Sequence, residues 1–269
     1  MRLIVDHTTR YSYDSPVRSV VQSHRLTPSR CQSQKVLSWE VSVSGGVKGS
    51  GFRDGAGDYV QSWTVAGPVD EIVVSVKGEV ETSDTLGILR DHRETISPAV
   101  YLRPTKATDV SSALVALAEK AEGEDALSLA HSLAALVSEA LIYTPGVTAA
   151  HTTAAEALAL GEGVCQDYAH ALIACARVRA MPARYVSGYL FADASGKAHE
   201  AAHAWAEIFV PGLGWVGFDP VNKCCPDERY VRLASGFDAL DAAPIRGIKG
   251  RTAGEEALEV AVAVRSADQ

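Results

Sequence analysis

A chain of 269 residues is long enough for one large or two modest domains, and its formal net charge of −8 argues against a general nucleic-acid binder. No apolar run approaches the ~20 residues needed to span a bilayer, so no membrane partner is expected. The segment Met1 to His7 has only a three-residue apolar run before a charge, so no signal-peptide core is read there, a cytoplasmic location is expected, and the five cysteines, without paired spacing, are expected as reduced thiols.

Residues 1 to 95 read as β. Leu3, Val5, Tyr11 and Tyr13 alternate with other residues, and so do the runs Val36 to Val43, Tyr59 to Val65 and Glu71 to Val80. Turn-forming clusters punctuate them at Ser44-Gly45-Gly46, Asp54 to Gly57 and Gly67-Pro68. Period-2 runs with such breaks predict an antiparallel, sandwich-like β domain. A linker is expected over 96–108, around Ser97-Pro98 and Arg103-Pro104.

From 109 to 269 the pattern changes. Asp109 to Glu122 and Glu124 to Ala140 carry Ala and Leu at helical spacing, with Ser111 or Asp109 as a cap. Thr152 or Thr153 caps a short helix ending at Leu160, and a further helix runs from Cys165 to about Arg179. Strands follow at Ala183 to Leu190, His203 to Val210 and Trp215 to Asp219, the last two joined by the turn Pro211 to Gly214. A final strand is expected over Glu255 to Val264. The whole reads as an α+β chain.

Three residues carry chemistry. Cys165 opens its helix after Gly161-Glu162-Gly163-Val164. Unpaired first-turn N–H groups and the positive end of the helix dipole favour a thiolate there, which is the nucleophilic form. His203 starts one strand and Asp219 ends the next, so a hairpin brings them together. Asp219 would then hold the imidazole while His203 exchanges protons with Cys165. Cysteine, histidine and acid in this arrangement suit thiol-based acyl transfer through a thioester.

These motifs resemble the bacterial transglutaminase-like superfamily, whose core is related to papain-type thiol enzymes. The resemblance rests on Gly161 to Leu190 with its cysteine at a helix start, Ala202-His203-Ala204-Trp205, Phe218-Asp219-Pro220 and Glu228 to Gly247. Tyr143 to Thr148 also resembles a family segment, and residues 1 to about 80 resemble the β region that often precedes the core. The resemblance implies Cys165 as nucleophile, His203 as base and acid, and Asp219 as orienting acid. It implies a peptide or protein amide substrate and no cofactor, and it leaves the oligomeric state open. With no calcium-loop signature, hydrolysis is favoured over transfer to an amine. Cys224-Cys225 departs from the family pattern.

Two other readings stand beside this one. His199-Glu200-Ala201-Ala202-His203 matches the H-E-x-x-H zinc signature, which needs a helix; the strand-like run after His203 speaks against it. A non-enzymatic peptide-binding scaffold is the other. Of the remaining groups, Cys175 is read as a buried hydrophobe, His170 as a packed or hydrogen-bonded histidine, and Asp167 as structural. Trp205 and Trp215 are read as core, and Cys31 is given no chemistry. Arg177, Arg179 and Arg184 are read as a solvated basic face, and Arg246 as a solvated loop residue.

Overall fold

A computed structural model describes residues 1–191, 202–250 and 256–267. The elements run β1 (Arg2–His24), β2 (Gln34–Val43), β3 (Gly46–Arg53), β4 (Tyr59–Thr82), α1 (Ser112–Glu119), α2 (Ala126–Ala140), β5 (Ile142–Tyr143), α3 (Ala154–Leu160), β6 (Glu162–Gly163), α4 (Cys165–Val178), β7 (Ala183–Leu190), β8 (Ala202–Val210), β9 (Gly214–Phe218), β10 (Tyr230–Gly236), β11 (Ile245–Lys249) and β12 (Glu256–Ser266). Two antiparallel sheets dominate this α+β fold. The first contains β11-β1-β4-β2, with β12 also on β1 and β3 also on β4; the second has the order β10-β7-β8-β9.

The chain stacks in three layers. Helix α4 lies on one face of the second sheet, where Leu172, Ile173 and Ala176 meet Ala204, Ala206 and Ile208. The first sheet covers the other side, and Leu3, Val5, Ile72 and Val74 share a core with Tyr189, Val231 and Leu233. Such burial of branched apolar side chains is the main favourable term holding the layers together.

The N-terminal strands are longer than the sequence pattern indicates. Gly67-Pro68 was expected to end a strand, yet both residues lie inside β4. There β1 and β4 shift register between Val17 and Ser19, and a Cβ at Gly67 would overlap the Val17 carbonyl. The glycine lets the strands pass closely and the bulge absorbs the proline. The segment expected as a linker contains a short 3-10 helix, Pro98–Leu102, whose Tyr101 is buried against Trp215 and Phe237. The last two strands, placed with residues 109–269 from the sequence, return instead to the first sheet, where both pair with β1.

The helices follow their caps. Ser111 accepts from the Leu114 N–H, Asp125 from Ser128 and Thr153 from Glu156, each satisfying an otherwise unpaired first-turn donor. Gly161 closes α3 with φ +74°, a left-handed conformation that glycine adopts without strain.

Candidate active site

Cys165 begins α4 and is half-buried. The loop before it is pinned from two sides. Parallel strands β5 and β6 place Tyr143 beside Gly163, and the Thr144 N–H donates to the Gly163 carbonyl at 3.0 Å. The Asp167 carboxylate turns back under the loop and accepts from the Val164 N–H at 2.8 Å and the Thr148 hydroxyl at 2.6 Å. A Cβ at Gly163 would sit 2.7 Å from the Asp167 Cβ, so only glycine lets the carboxylate reach its donors. Burial pushes the Asp167 carboxyl up, against the opposing effect of those two hydrogen bonds. The Cys165 N–H, by its position at the helix start, is one of the first-turn donors without an intrahelical acceptor.

His203 and Asp219 meet as the hairpin predicts. Register Ala206 opposite Phe218 carries β8 and β9 to the point where His203 Nε2 lies 2.6 Å from Asp219 Oδ2. The Cys165 side chain is near enough to the imidazole to favour its charged form. Both His203 and Asp219 are buried. Burial opposes charge on the imidazole, but the hydrogen bonds to Asp219 and Cys165 outweigh it and push the His203 pKa up to about 10. Burial likewise opposes charge on Asp219, and the hydrogen bond from His203 with its other donors holds this carboxyl below the usual range.

Those other donors were not singled out from the sequence. Asn222 Nδ2 donates to Asp219 Oδ2 at 2.7 Å, and the Tyr230 hydroxyl donates to the same oxygen at 2.8 Å. The backbone N–H groups of Val221 and Asn222 donate to Oδ1 at 3.0 and 3.2 Å. Asn222 stands three residues after Asp219, where a turn folding back on its own carboxylate is readable from the chain. Tyr230 comes from β10 and carries no such local signal. Its ring packs edge-on to Trp205, which in turn stacks beside His203. Cys224 Sγ lies 3.3 Å from the Tyr230 hydroxyl, so this half of the vicinal cysteine pair sits behind the acid.

The remaining sequence readings separate clearly. Cys175 is buried, and burial pushes its thiol up to about 12. His170 is buried as well; its Nε2 accepts from the Ala239 N–H at 3.0 Å, and burial lowers its pKa to about 4. Trp205 and Trp215 are core. Arg246 is exposed but lies in β11 rather than in a loop. His199 and Glu200 of the zinc-type motif lie outside the described residues, while His203 opens a strand and not a helix.

The solvated basic face is overturned for two of its three members. Arg177 is buried and donates to the carbonyls of Tyr101, Ala183 and Phe237. Arg184 is 0% exposed, with Nε on Glu207 Oε2 at 2.7 Å and Nη1 on Glu94 Oε2 at 2.6 Å. Arg232 binds the other side of Glu207 and reaches Asp58 Oδ1 at 2.9 Å. These partners lie far off in sequence, so local charge density could not reveal them.

Known protein families match this architecture. The model of the bacterial transglutaminase-like N-terminal region matches residues 3–81, and that of the transglutaminase-like superfamily core matches residues 105–220, a span containing Cys165, His203 and Asp219. The chain belongs to the transglutaminase-like superfamily. Among relatives of this superfamily member, an uncharacterized Mycobacterium leprae protein is 31% identical over 277 residues, covering 98% of both chains. An uncharacterized Mycobacterium tuberculosis protein is 29% identical over 290 residues, covering 98% of this chain and 92% of that one. A protein-glutamine gamma-glutamyltransferase of Pseudomonas aeruginosa is 30% identical over 99 residues, which is 33% of this chain and 15% of that protein. The crystal structure of a candidate cysteine protease from Cytophaga hutchinsonii superposes with a TM-score of 0.76 at 23% identity, covering 100% of this chain and 91% of its own, and so shares the fold.

Proposed function

We propose that this superfamily member is a thiol-dependent amide hydrolase working through Cys165, His203 and Asp219. The observation that carries this reading is the buried imidazole held by Asp219 at 2.6 Å and turned toward a cysteine at a helix start. The Cys165 sulfur attacks the carbonyl carbon of a peptide or protein amide, and the carbonyl oxygen takes negative charge that the Cys165 N–H stabilises. His203 gives its proton to the departing nitrogen, the C–N bond breaks, and a thioester and a free amine result. Water then gives a proton to His203 as its oxygen attacks the thioester. The C–S bond breaks, the carboxylic acid leaves, and Cys165 returns as a thiolate beside the protonated His203. Asp219 holds the ring and stabilises its charge throughout. No step requires a metal or a cofactor.

Transfer to an amine is the second reading, favoured by the match to a gamma-glutamyltransferase over a third of the chain. Both routes share the thioester and differ only in its acceptor. Intact-mass analysis after incubation with peptide and small-amide libraries, with and without a primary amine, separates them. The hydrolase reading expects a transient adduct on Cys165 that decays to free enzyme and acid whether or not the amine is present. Amine-dependent formation of a new amide would establish transfer. No adduct at Cys165, together with iodoacetamide labelling no faster than at Cys225, whose thiol burial holds at about 11, would leave a binding scaffold instead.

A further inference from the structure

The edges of the two sheets are treated very differently. In the second sheet, β9 is covered by residues 87–89: the Gly217 N–H donates to the Gly87 carbonyl and the Leu89 N–H to the Trp215 carbonyl, both at 2.9 Å. On the far side, Ser29 and Gln34 occupy the β10 backbone at Arg232. In the first sheet, β2 and β3 both break register against β4, at Val36/Ser38 and at Lys48/Gly51. Covering loops and bulges of this kind stop an edge from pairing with another chain.

Strand β12 has none of these guards. It pairs with β1 in one unbroken register from Tyr13 opposite Glu256 to Leu3 opposite Ser266. It contains no proline, glycine or lysine, and among the described residues no strand lies on its outer side. Its residues alternate cleanly. Leu258, Val260, Val262 and Val264 share one face, of which Val262 and Val264 reach the core while Leu258 and Val260 remain 60% and 51% exposed. Glu259, Ala261, Ala263 and Arg265 share the other face, all exposed.

That pattern is complementary to itself. When two copies pair antiparallel about a two-fold axis perpendicular to the sheet, directly opposed residues must point to the same face, so only registers centred on a residue are allowed. Centring on Glu259 opposes like charges, centring on Ala261 or Ala263 sets each charge against a neutral residue, and centring on Val260 sets Glu259 against Ala261 and carries Arg265 past the start of the partner's β12. Centring on Val262 opposes Glu259 to Arg265 twice, once at each end of the pair, and lays Val260 against Val264. Glu259 has a weak inward partner, Arg10 at 3.9 Å, and its side chain is 77% exposed, so it is available to a second strand.

We propose that β12 is a homodimer interface: two copies of this chain join edge to edge in the Val262-centred register, making one continuous sheet. The partner is a second copy because the strand supplies both halves of its charge pairs. This inference does not depend on the catalytic reading.

Sedimentation analysis of the full chain from about 1 to about 100 μM tests it. The expected result is a monomer–dimer equilibrium. Glu259→Arg and Arg265→Glu each create two like-charge pairs and should weaken the dimer about tenfold or more. The double variant Glu259→Arg/Arg265→Glu should restore it. Val260→Lys, at an already exposed position, should give monomer with an unchanged melting temperature at the lowest concentration. A chain that stays monomeric over the whole window overturns the proposal. So does a dimer indifferent to either single reversal, or a double variant that fails to recover.

Discussion

Strand β8 carries two buried polar clusters on the same face, four residues apart. At Glu207 a carboxylate lies between Arg184 and Arg232, which reach on to Glu94 and Asp58. At His203 an imidazole lies between Asp219 and Cys165. Both sites set opposite charges against each other away from water, and they differ in which charges can move. Guanidinium groups keep their protons at all ordinary pH, and the arginines hold Glu207 down to about 2 after overcoming its burial, so that cluster is fixed. An imidazole changes charge by one proton within reach of neutral pH. One cluster therefore joins the N-terminal region to the second sheet, and the other is able to do proton chemistry.

Substitutions should separate the two roles. Cys165→Ala should abolish turnover, by at least about 10⁴-fold, with little loss of melting temperature, because the side chain is half-buried at a helix start and Asp219 still holds the imidazole. A melting temperature that falls with activity would mean the thiol is structural. Glu207→Gln should do the reverse. Removing one charge from a buried network costs about 3–5 kcal/mol, or on the order of 10 °C in melting temperature, while the folded fraction keeps its activity. Comparing turnover per folded molecule with a thermal melt checks this; loss of activity in a fully folded variant would merge the two clusters.

Stability against pH sharpens the contrast. His203 has a folded pKa of about 10 against an unfolded value of 6.5. A raised folded pKa stabilises the fold fully below pH 6.5, and that contribution is lost as pH rises through 10. The stability difference between wild type and His203→Gln should therefore be largest below pH 6.5 and shrink by a few kcal/mol, to order of magnitude, between 6.5 and 10. Denaturant melts across that range measure it; a difference that grows with pH would refute the assignment of the proton to His203. The Glu207 cluster should show no such slope there, since its carboxylate titrates far lower.

The two clusters were also unequally visible in the sequence. Cys165, His203 and Asp219 each sit at the end of a predictable element, and a three-residue turn between β8 and β9 forces the last two together, so local pattern was sufficient. Glu207 alternates with His203 and Trp205 along β8, which puts the three on one face, but its cations come from β7 and β10 and its further carboxylates from residues 58 and 94. Nothing local marks such pairs, and Arg184 next to other arginines reads as surface. The same limit hid the return of β11 and β12 to β1. A strand's period shows which face is apolar, whereas its neighbour is set by the path of the intervening chain.

The smallest expected effect concerns Tyr230, which belongs to neither cluster's charges but touches both the acid and the wall between them. Its hydroxyl is one of five donors to Asp219, and its ring packs against Trp205. Tyr230→Phe keeps the ring and removes one hydrogen bond to a charged group, worth about 1.5–3 kcal/mol at most. Four donors remain, so the carboxylate stays ionised and the loss should fall at the lower end, about tenfold in kcat/KM. With Asp219 less well satisfied by its own side, its charge is freer to attract the imidazole proton, so the upper limb of the pH–rate profile should not move downward. A purely packing role for Tyr230 would leave kcat/KM unchanged in the phenylalanine variant. A downward shift of that limb would mean that the tyrosine, rather than the acid, governs the proton on His203.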